Sequence, residues 1–279
     1  MLFEHLPAST FFRKEVPPYE DIYGLHSLFG KVAFEQNIVL MGPKGIGKSL
    51  SVVSYASKNQ IPIITYDCSE DSRRSHLMGT FILRGNETPF VLGPLTTAYQ
   101  VANEAGECIL CLEELNALSP QAQKLLNPLL DFRCRLEVPE VQHVFELKSG
   151  AKLWVVGTMN GSAYGGTYAL NEDLLSRISM CPLGYPSETQ EKKVIAKAYP
   201  EAKEVDVSSA IRLAEMTRSG KSVEYSLSTR DVVSFLRLQN LVGIRKALWM
   251  LSAKYEDELK AFNQFANMVY NYVPRQTNG

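Results

Sequence analysis

The sequence predicts an α/β fold: a parallel sheet with helices on both faces, followed by a small α-helical domain. Three observations predict it. Short apolar runs alternate with helical patterns between about residues 37 and 160, the order that parallel strands with right-handed crossovers require. Strand signals stop near Pro186, and helical patterns continue from there. Between the first apolar run and the first helix lies Gly42-Pro43-Lys44-Gly45-Ile46-Gly47-Lys48-Ser49, which fits the phosphate-binding pattern G-x-x-x-x-G-K-[ST]. The expected division is an α/β domain over residues 1–185 and a helical domain over 186–279.

Residues 1–36 read as an irregular lead-in, broken at Pro17-Pro18, with a short helix between Asp21 and Phe34. Asn37 to Met41 is a buried strand, and Lys48 to Lys58 has helical spacing. Ile61 to Tyr66 is a second strand, with Pro62 near its start, where a missing N–H is tolerated. Thr80 to Leu92 reads as a hairpin about Gly85-Asn86. Gly93-Pro94 ends it, and Leu95 to Ala105 is helical. A third strand spans residues 108–112. Ser119 to Phe132 reads as one helix, with Ser119 as N-cap and Pro120 in its first position. A second hairpin joins Arg135–Val138 to His143–Leu147 about Pro139-Glu140. Leu153 to Thr158 is a buried strand, and Asn171 to Ile178 a short helix. The C-terminal part reads as helices at Ser187–Ala198, Val207–Ser219, Ser228–Leu241 and Leu248–Val269, with a polar tail from Pro274.

Net charge is −1 over 279 residues, so no global field recruits nucleic acid or anionic lipid. No apolar run approaches the ~20 residues of a membrane span, and the first residues lack the apolar core of a signal peptide. A cytoplasmic protein is expected. Five cysteines, an odd number, fit a reducing compartment better than a disulfide framework. Cys108 and Cys111 form a C-x-x-C inside a strand pattern. An odd separation sends their side chains to opposite faces, which predicts buried structural thiols.

The chemistry is expected at the carboxyl ends of the strands. Gly42, Gly45 and Gly47 let the backbone turn its N–H groups inward at phosphate oxygens, and the following helix adds its positive end. The binding stretch runs from Gly42 to Leu50. Lys48 would neutralise phosphate charge and the Ser49 hydroxyl would ligate Mg²⁺. Glu113-Glu114 ends the third strand. Two adjacent carboxylates there are costly without a cation. The first would orient the hydrated metal, and the second the attacking water. Asn160 ends the fourth strand, where a neutral amide can hold water or touch the terminal phosphate. Arg177 is placed to reach a neighbouring subunit's nucleotide, and Arg230 to reach back to the phosphates. A surface arginine is the other reading of each, and the residues alone leave it open.

This constellation resembles the AAA+ ATPases, a P-loop NTPase fold, and within them the MoxR group that includes CbbQ, NorQ, GvpN and CobS. The resemblance covers Ile38 to Pro186, with weaker support to Arg230. It is carried by Gly93-Pro94-Leu95, Cys108 to Asn116, Leu126 to Asp131 with Leu136 to Pro139, and Gly157 to Arg177, including Tyr164 and Gly165. It implies that Gly42–Ser49 is Walker A, Glu113-Glu114 Walker B, Asn160 sensor 1, Arg177 the arginine finger and Arg230 sensor 2. It implies that both hairpins face a pore or its rim. It implies ATP with Mg²⁺ as ligands and a homo-oligomeric, hexameric ring. It further implies a separate partner protein carrying a von Willebrand factor A domain, remodelled or activated by the ring. Glu113 departs from the usual aspartate by one methylene, and Ile178 from the usual phenylalanine. Two rival readings stand beside this one: a nucleic-acid motor or restriction-type NTPase preferring GTP, disfavoured by the near-zero charge, and a nucleotide-gated scaffold with slow turnover.

Overall fold

The computed structural model describes residues 3–131, 133–161, 168–219 and 222–271. Tyr164, Gly165 and the tail from Pro274 lie outside them. Two units result: Met1–Pro17, Tyr23–Gly42 and Gly47–Leu183 form the first; Pro18–Ile22, Pro43–Ile46 and Gly184–Gly279 form the second.

In chain order the first unit holds β1 (Phe3–Glu4), α1 (Leu25–Val32), β2 (Ile38–Met41), α2 (Lys48–Asn59), β3 (Ile63–Asp67) and α3 (Arg74–Met78). There follow β4 (Gly79–Phe81), β5 (Phe90–Leu92), α4 (Pro94–Ala105), β6 (Glu107–Glu113), α5 (Pro120–Lys124) and α6 (Asn127–Leu130). β7 (Arg135–Val138), β8 (His143–Glu146), β9 (Lys152–Met159), α7 (Glu172–Leu175) and β10 (Ser179–Pro182) complete it.

The central sheet has the order β10-β2-β9-β6-β3, and every pairing in it is parallel. Its middle strands are apolar at successive positions because both faces are covered. Burial divides with period two. Val39, Cys108, Leu110, Leu112 and Val155 pack on one face with α3, α4 and α7 residues such as Leu77, Tyr99 and Leu174. Ile38, Leu40, Ile109, Cys111, Trp154 and Val156 pack on the other with Leu25 and Phe29 of α1 and Val52 and Tyr55 of α2. Cys108 and Cys111 are thus buried on opposite faces, as their spacing requires. β4 and β5 form the first antiparallel hairpin and β7 and β8 the second. Gly85 turns with φ 61° inside the first.

Four expectations are corrected. Ser119 to Phe132 is not one helix: α5 stops at Lys124, and α6 restarts with Pro128 in its first turn. Pro128 has no N–H for the Lys124 carbonyl, so the helical ladder breaks there. Asn171 to Ile178 holds one helical turn, α7, before the chain extends. Ser179 donates its N–H to Asn37 O at 2.9 Å, and β10 pairs along β2. The lead-in is less irregular than expected, since β1 pairs in parallel with β5.

The second unit is helical: α8 (Glu188–Ala198), α9 (Glu204–Ser219), α10 (Thr229–Val242), α11 (Ile244–Ser252) and α12 (Leu259–Tyr270). Its core joins Ile195, Ile211, Leu213, Phe235, Leu236, Leu248, Tyr255 and Phe262. The fourth correction is here: Leu248 to Val269 is two helices, not one. The Tyr255 and Phe262 rings stack with centroids 4.4 Å apart. On a continuous helix, seven residues rise about 10.5 Å, so this stack demands a fold between α11 and α12. Arg218 anchors the unit. Its Nη1 and Nη2 each donate to a Glu191 carboxylate oxygen at 2.8 Å, its Nε donates to Leu227 O at 2.7 Å, and it stacks on Tyr185.

Candidate nucleotide-binding site

The strand order brings β2, β9 and β6 side by side, so Gly42, Asn160 and the Glu113-Glu114 pair leave one edge of the sheet together. Close packing under that edge needs Gly157. A Cβ there would lie 2.8 Å from Val39 Cγ2 and 3.0 Å from Leu115 Cδ2.

The glycine loop has the backbone its sequence demands. Gly45 and Gly47 adopt φ of 70° and 94°, a region that side chains disfavour. α2 starts directly after Gly47 and runs 12 residues, so its first N–H groups lack helical partners and its positive end faces the loop. Within the second unit, a Cβ on Gly45 would meet Ser228 Oγ at 2.4 Å and Arg230 Cβ at 3.2 Å.

Lys48 is 8% exposed. Its Nζ donates to Gly42 O at 2.8 Å and to Asn160 Oδ1 at 3.0 Å. Asn160, 6% exposed, donates from Nδ2 to Glu114 Oε1 at 3.3 Å. Beside this chain the Ser49 hydroxyl donates to Glu113 Oε2. Lysine, amide and one carboxylate therefore form a hydrogen-bonded chain, and the hydroxyl and the second carboxylate a pair beside it. A hydroxyl facing a carboxylate is a hard-oxygen pair of the kind Mg²⁺ prefers. Among the described residues no group of three or more His, Cys, Asp or Glu could hold a metal. The negative charge of this edge registers on a neighbour: burial, then the carboxylates of Asp67, Glu113 and Glu114, push the Cys68 thiol up to about 12.

Glu114 sits at φ 52° and ψ 45°. Its N–H donates to Thr158 Oγ1 at 3.4 Å, and Ala117 N–H donates to its carbonyl at 2.7 Å. Asn116, which the site reading omits, is buried and donates from Nδ2 to Asn160 O at 3.4 Å. Thr158 was detectable as a polar residue at the end of an apolar run.

The hydrogen bonds of Arg177 lie outside this set, and Arg230 belongs to the second unit. Arg177 donates from Nη1 to Asp173 O, and to Ser176 Oγ at 3.3 Å. It lies near Asp131, whose carboxyl is held below its usual range by bonds from Arg133 and then by the Arg177 charge. Arg230 is the exposed second residue of α10 in the second unit.

The AAA domain (dynein-related subfamily) family matches residues 37–178. A Staphylococcus epidermidis protein, named only as uncharacterized, is 26% identical over 250 residues, 86% of this chain and 90% of its own length. Bacillus subtilis YojN, also named as uncharacterized, is 27% identical over 225 residues, 78% of this chain and 71% of itself. A provisionally assigned ATPase from Cytophaga hutchinsonii superposes with a TM-score of 0.51 at 16% identity, covering 92% of this chain and 83% of that one. That likeness shows the shared fold. Among the described residues no helix is long and apolar enough to cross a membrane. The matched span contains the glycine loop, both acidic residues, Asn160 and Arg177, and the chain belongs to the AAA domain family, dynein-related subfamily.

Proposed function

We propose that the protein is a Mg²⁺-dependent ATPase that works as a homo-oligomeric ring of the MoxR type, a hexamer, and remodels or activates a separate partner protein. The observation that carries this reading is the joined chain Gly42 O–Lys48–Asn160–Glu114, with Ser49–Glu113 beside it.

In this reading Gly42 to Leu50 cradles the phosphates. Lys48 exchanges Asn160 and Gly42 for phosphate oxygens, which are better partners for an ammonium. Ser49 and Glu113 would hold Mg²⁺, which when bound neutralises phosphate charge. Glu114 accepts a proton from, or orients, the attacking water, and the freed Asn160 amide steadies it. Arg177 serves the neighbouring subunit's nucleotide, and Arg230 reports nucleotide state to the helical domain at 186–279. The partner, by resemblance, carries a von Willebrand factor A domain.

The test is ATP turnover against protein concentration for wild type, Glu114→Gln and Arg177→Ala. Turnover per subunit should rise as rings form, vanish in Glu114→Gln, and drop by about 10³-fold in Arg177→Ala at ring-forming concentration. Concentration-independent turnover per subunit would sink the ring.

One observation favours the slow-scaffold reading. The longer Glu113 side chain spans to Ser49 directly, the pair that would otherwise hold Mg²⁺. Glu113→Asp withdraws the carboxylate by about one C–C bond, about 1.5 Å. A large gain in turnover would mark a natively weakened site; no gain would set this reading aside.

A further inference from the structure

The geometry points to Gln123 as a positioning residue for Arg177, acting through a buried amide staple at the start of α7. The inference rests on the proposed role of Arg177 as a cation supplied to a neighbouring subunit.

Gln123 belongs to α5 and is 0% exposed. Its Nε2 donates to Leu118 O at 3.0 Å and to Ala169 O at 3.3 Å, and its Oε1 accepts from Asn171 N–H at 2.8 Å. Asn171 answers by donating from Nδ2 to Pro120 O at 3.0 Å. Two side-chain amides therefore lock residues 169–171 onto α5 from both sides. Asn171 is the N-cap of α7, yet its side chain makes no cap bond. Its amide is committed to α5 instead.

α7 is four residues long, too short to hold itself by helical cooperativity. Its place must come from anchors. One is Leu174, fully buried in the core beneath it; the staple is the other, at its N-terminal end. Arg177 lies two residues beyond the last residue of α7, its N–H bonded to Leu174 O at 3.0 Å. Any rotation of α7 about the Leu174 anchor therefore swings Arg177. A buried glutamine is tolerated because its bonds are met, and such a satisfied network fixes one geometry where an apolar side chain of the same volume would permit several.

The staple also touches the phosphate-facing edge. Asn116 donates to Asn160 O and accepts, at its own carbonyl, the Tyr168 N–H at 2.7 Å. Residues 168–171 are thus gripped at one end by Asn116, which holds Asn160, and at the other by Gln123.

The test measures Mg-ATP turnover at ring-forming concentration, nucleotide affinity and melting temperature for Gln123→Met, Arg177→Ala and the double variant. Gln123→Met should lower kcat by about ten- to a hundredfold, as a misplaced catalytic group does, with nucleotide affinity within about twofold of wild type. In the Arg177→Ala background it should lower kcat no further, because its route is already cut. Asn171→Ala removes the Pro120 bond from the more accessible side. It should give a smaller loss with the same dependence on Arg177, and it serves if Gln123→Met does not fold. Unchanged kcat in Asn171→Ala and Gln123→Met, or a loss of equal size with and without Arg177, overturns the positioning role. Full turnover in Arg177→Ala overturns the reading of Arg177 itself, and the staple's catalytic role with it.

Discussion

Asn160→Asp separates the charge logic of the site from its packing. The amide accepts from Lys48 Nζ at 3.0 Å and donates to Glu114 Oε1 at 3.3 Å. Asp changes one atom: the donor facing Glu114 becomes an acceptor, and the group facing Lys48 gains full charge. At an effective dielectric near 20, a unit pair at 3.0 Å is attractive by about 5.5 kcal/mol. Removing the new carboxylate from water costs several kcal/mol, which offsets most of that gain. The contact with Glu114 becomes repulsive, but Glu114 is exposed, so water screens that repulsion to about 1 kcal/mol. The folded protein should therefore melt within a few degrees of wild type. Nucleotide binding should not be spared. Lys48 now has a charged partner that phosphate must displace, and breaking a buried pair costs about 3–5 kcal/mol. Mg-ATP affinity should fall by about a hundredfold or more. Isothermal titration with Mg-ATP, beside a thermal melt, reads both quantities. Wild-type affinity in a folded Asn160→Asp protein would refute the claim that Lys48 faces the phosphates from beside Asn160.

Gly45→Ala should weaken Mg-ATP binding by about tenfold or more, because φ 70° and the 2.4 Å approach to Ser228 Oγ leave a methyl no place without moving the loop. Unchanged binding would show that the loop rearranges freely. Glu191→Ala strands the buried Arg218, whose side chain is 8% exposed against 0% for Glu191. Urea melts should show the helical unit destabilised by about 3–5 kcal/mol, and a loss under about 1 kcal/mol would place Arg218 in solvent instead. Burial opposes ionisation of Asp231, but bonds from Lys254 and Ser228 outweigh it and hold its carboxyl below the ordinary 3.8. A lowered folded value means this stabilisation is full above pH 3.8 and is lost as pH falls through the folded value below it. Melts from pH 7 downward should show that loss in wild type and not in Asp231→Asn; parallel profiles would remove Asp231 as its source.

The sheet was legible because both of its faces are covered. Cys108 to Leu112 and Leu153 to Val156 are apolar at successive positions, and no surface strand reads that way. The glycine loop was legible because the backbone it needs excludes most side chains at Gly45 and Gly47. β10 was not. Ser179, Met180 and Pro182 are exposed, so an edge strand held by backbone bonds leaves no apolar signature. The break between α11 and α12 was hidden for a different reason. Leu248, Tyr255 and Phe262 are seven apart, and that period continues unbroken through the fold. Asn116 and Gln123 act by hydrogen bonds to main-chain atoms far along the sequence. Such partners carry no side-chain identity, so nothing at residues 160 or 169 announces them.

Glu114 breaks a local rule that the remaining positive-φ residues mostly keep. Gln60 and Asn271 are left-handed because they close helices α2 and α12, an ordinary use of that conformation. Gln142 turns the chain between β7 and β8. Glu114 closes no helix and joins no hairpin strands; it follows β6 directly, in a conformation that costs a side chain about 1–2 kcal/mol. Glycine there would relieve the cost and leave the bond from Ala117 intact. What glycine could not supply is the carboxylate that receives the Asn160 amide. The kink lets Glu113 stay in register with Asp67 on β3 and reach Ser49, while the next residue turns to Asn160. Two adjacent carboxylates on an undistorted strand would point to opposite faces. The strained backbone brings both to one edge, and this makes an acidic pair useful to a single bound phosphate chain.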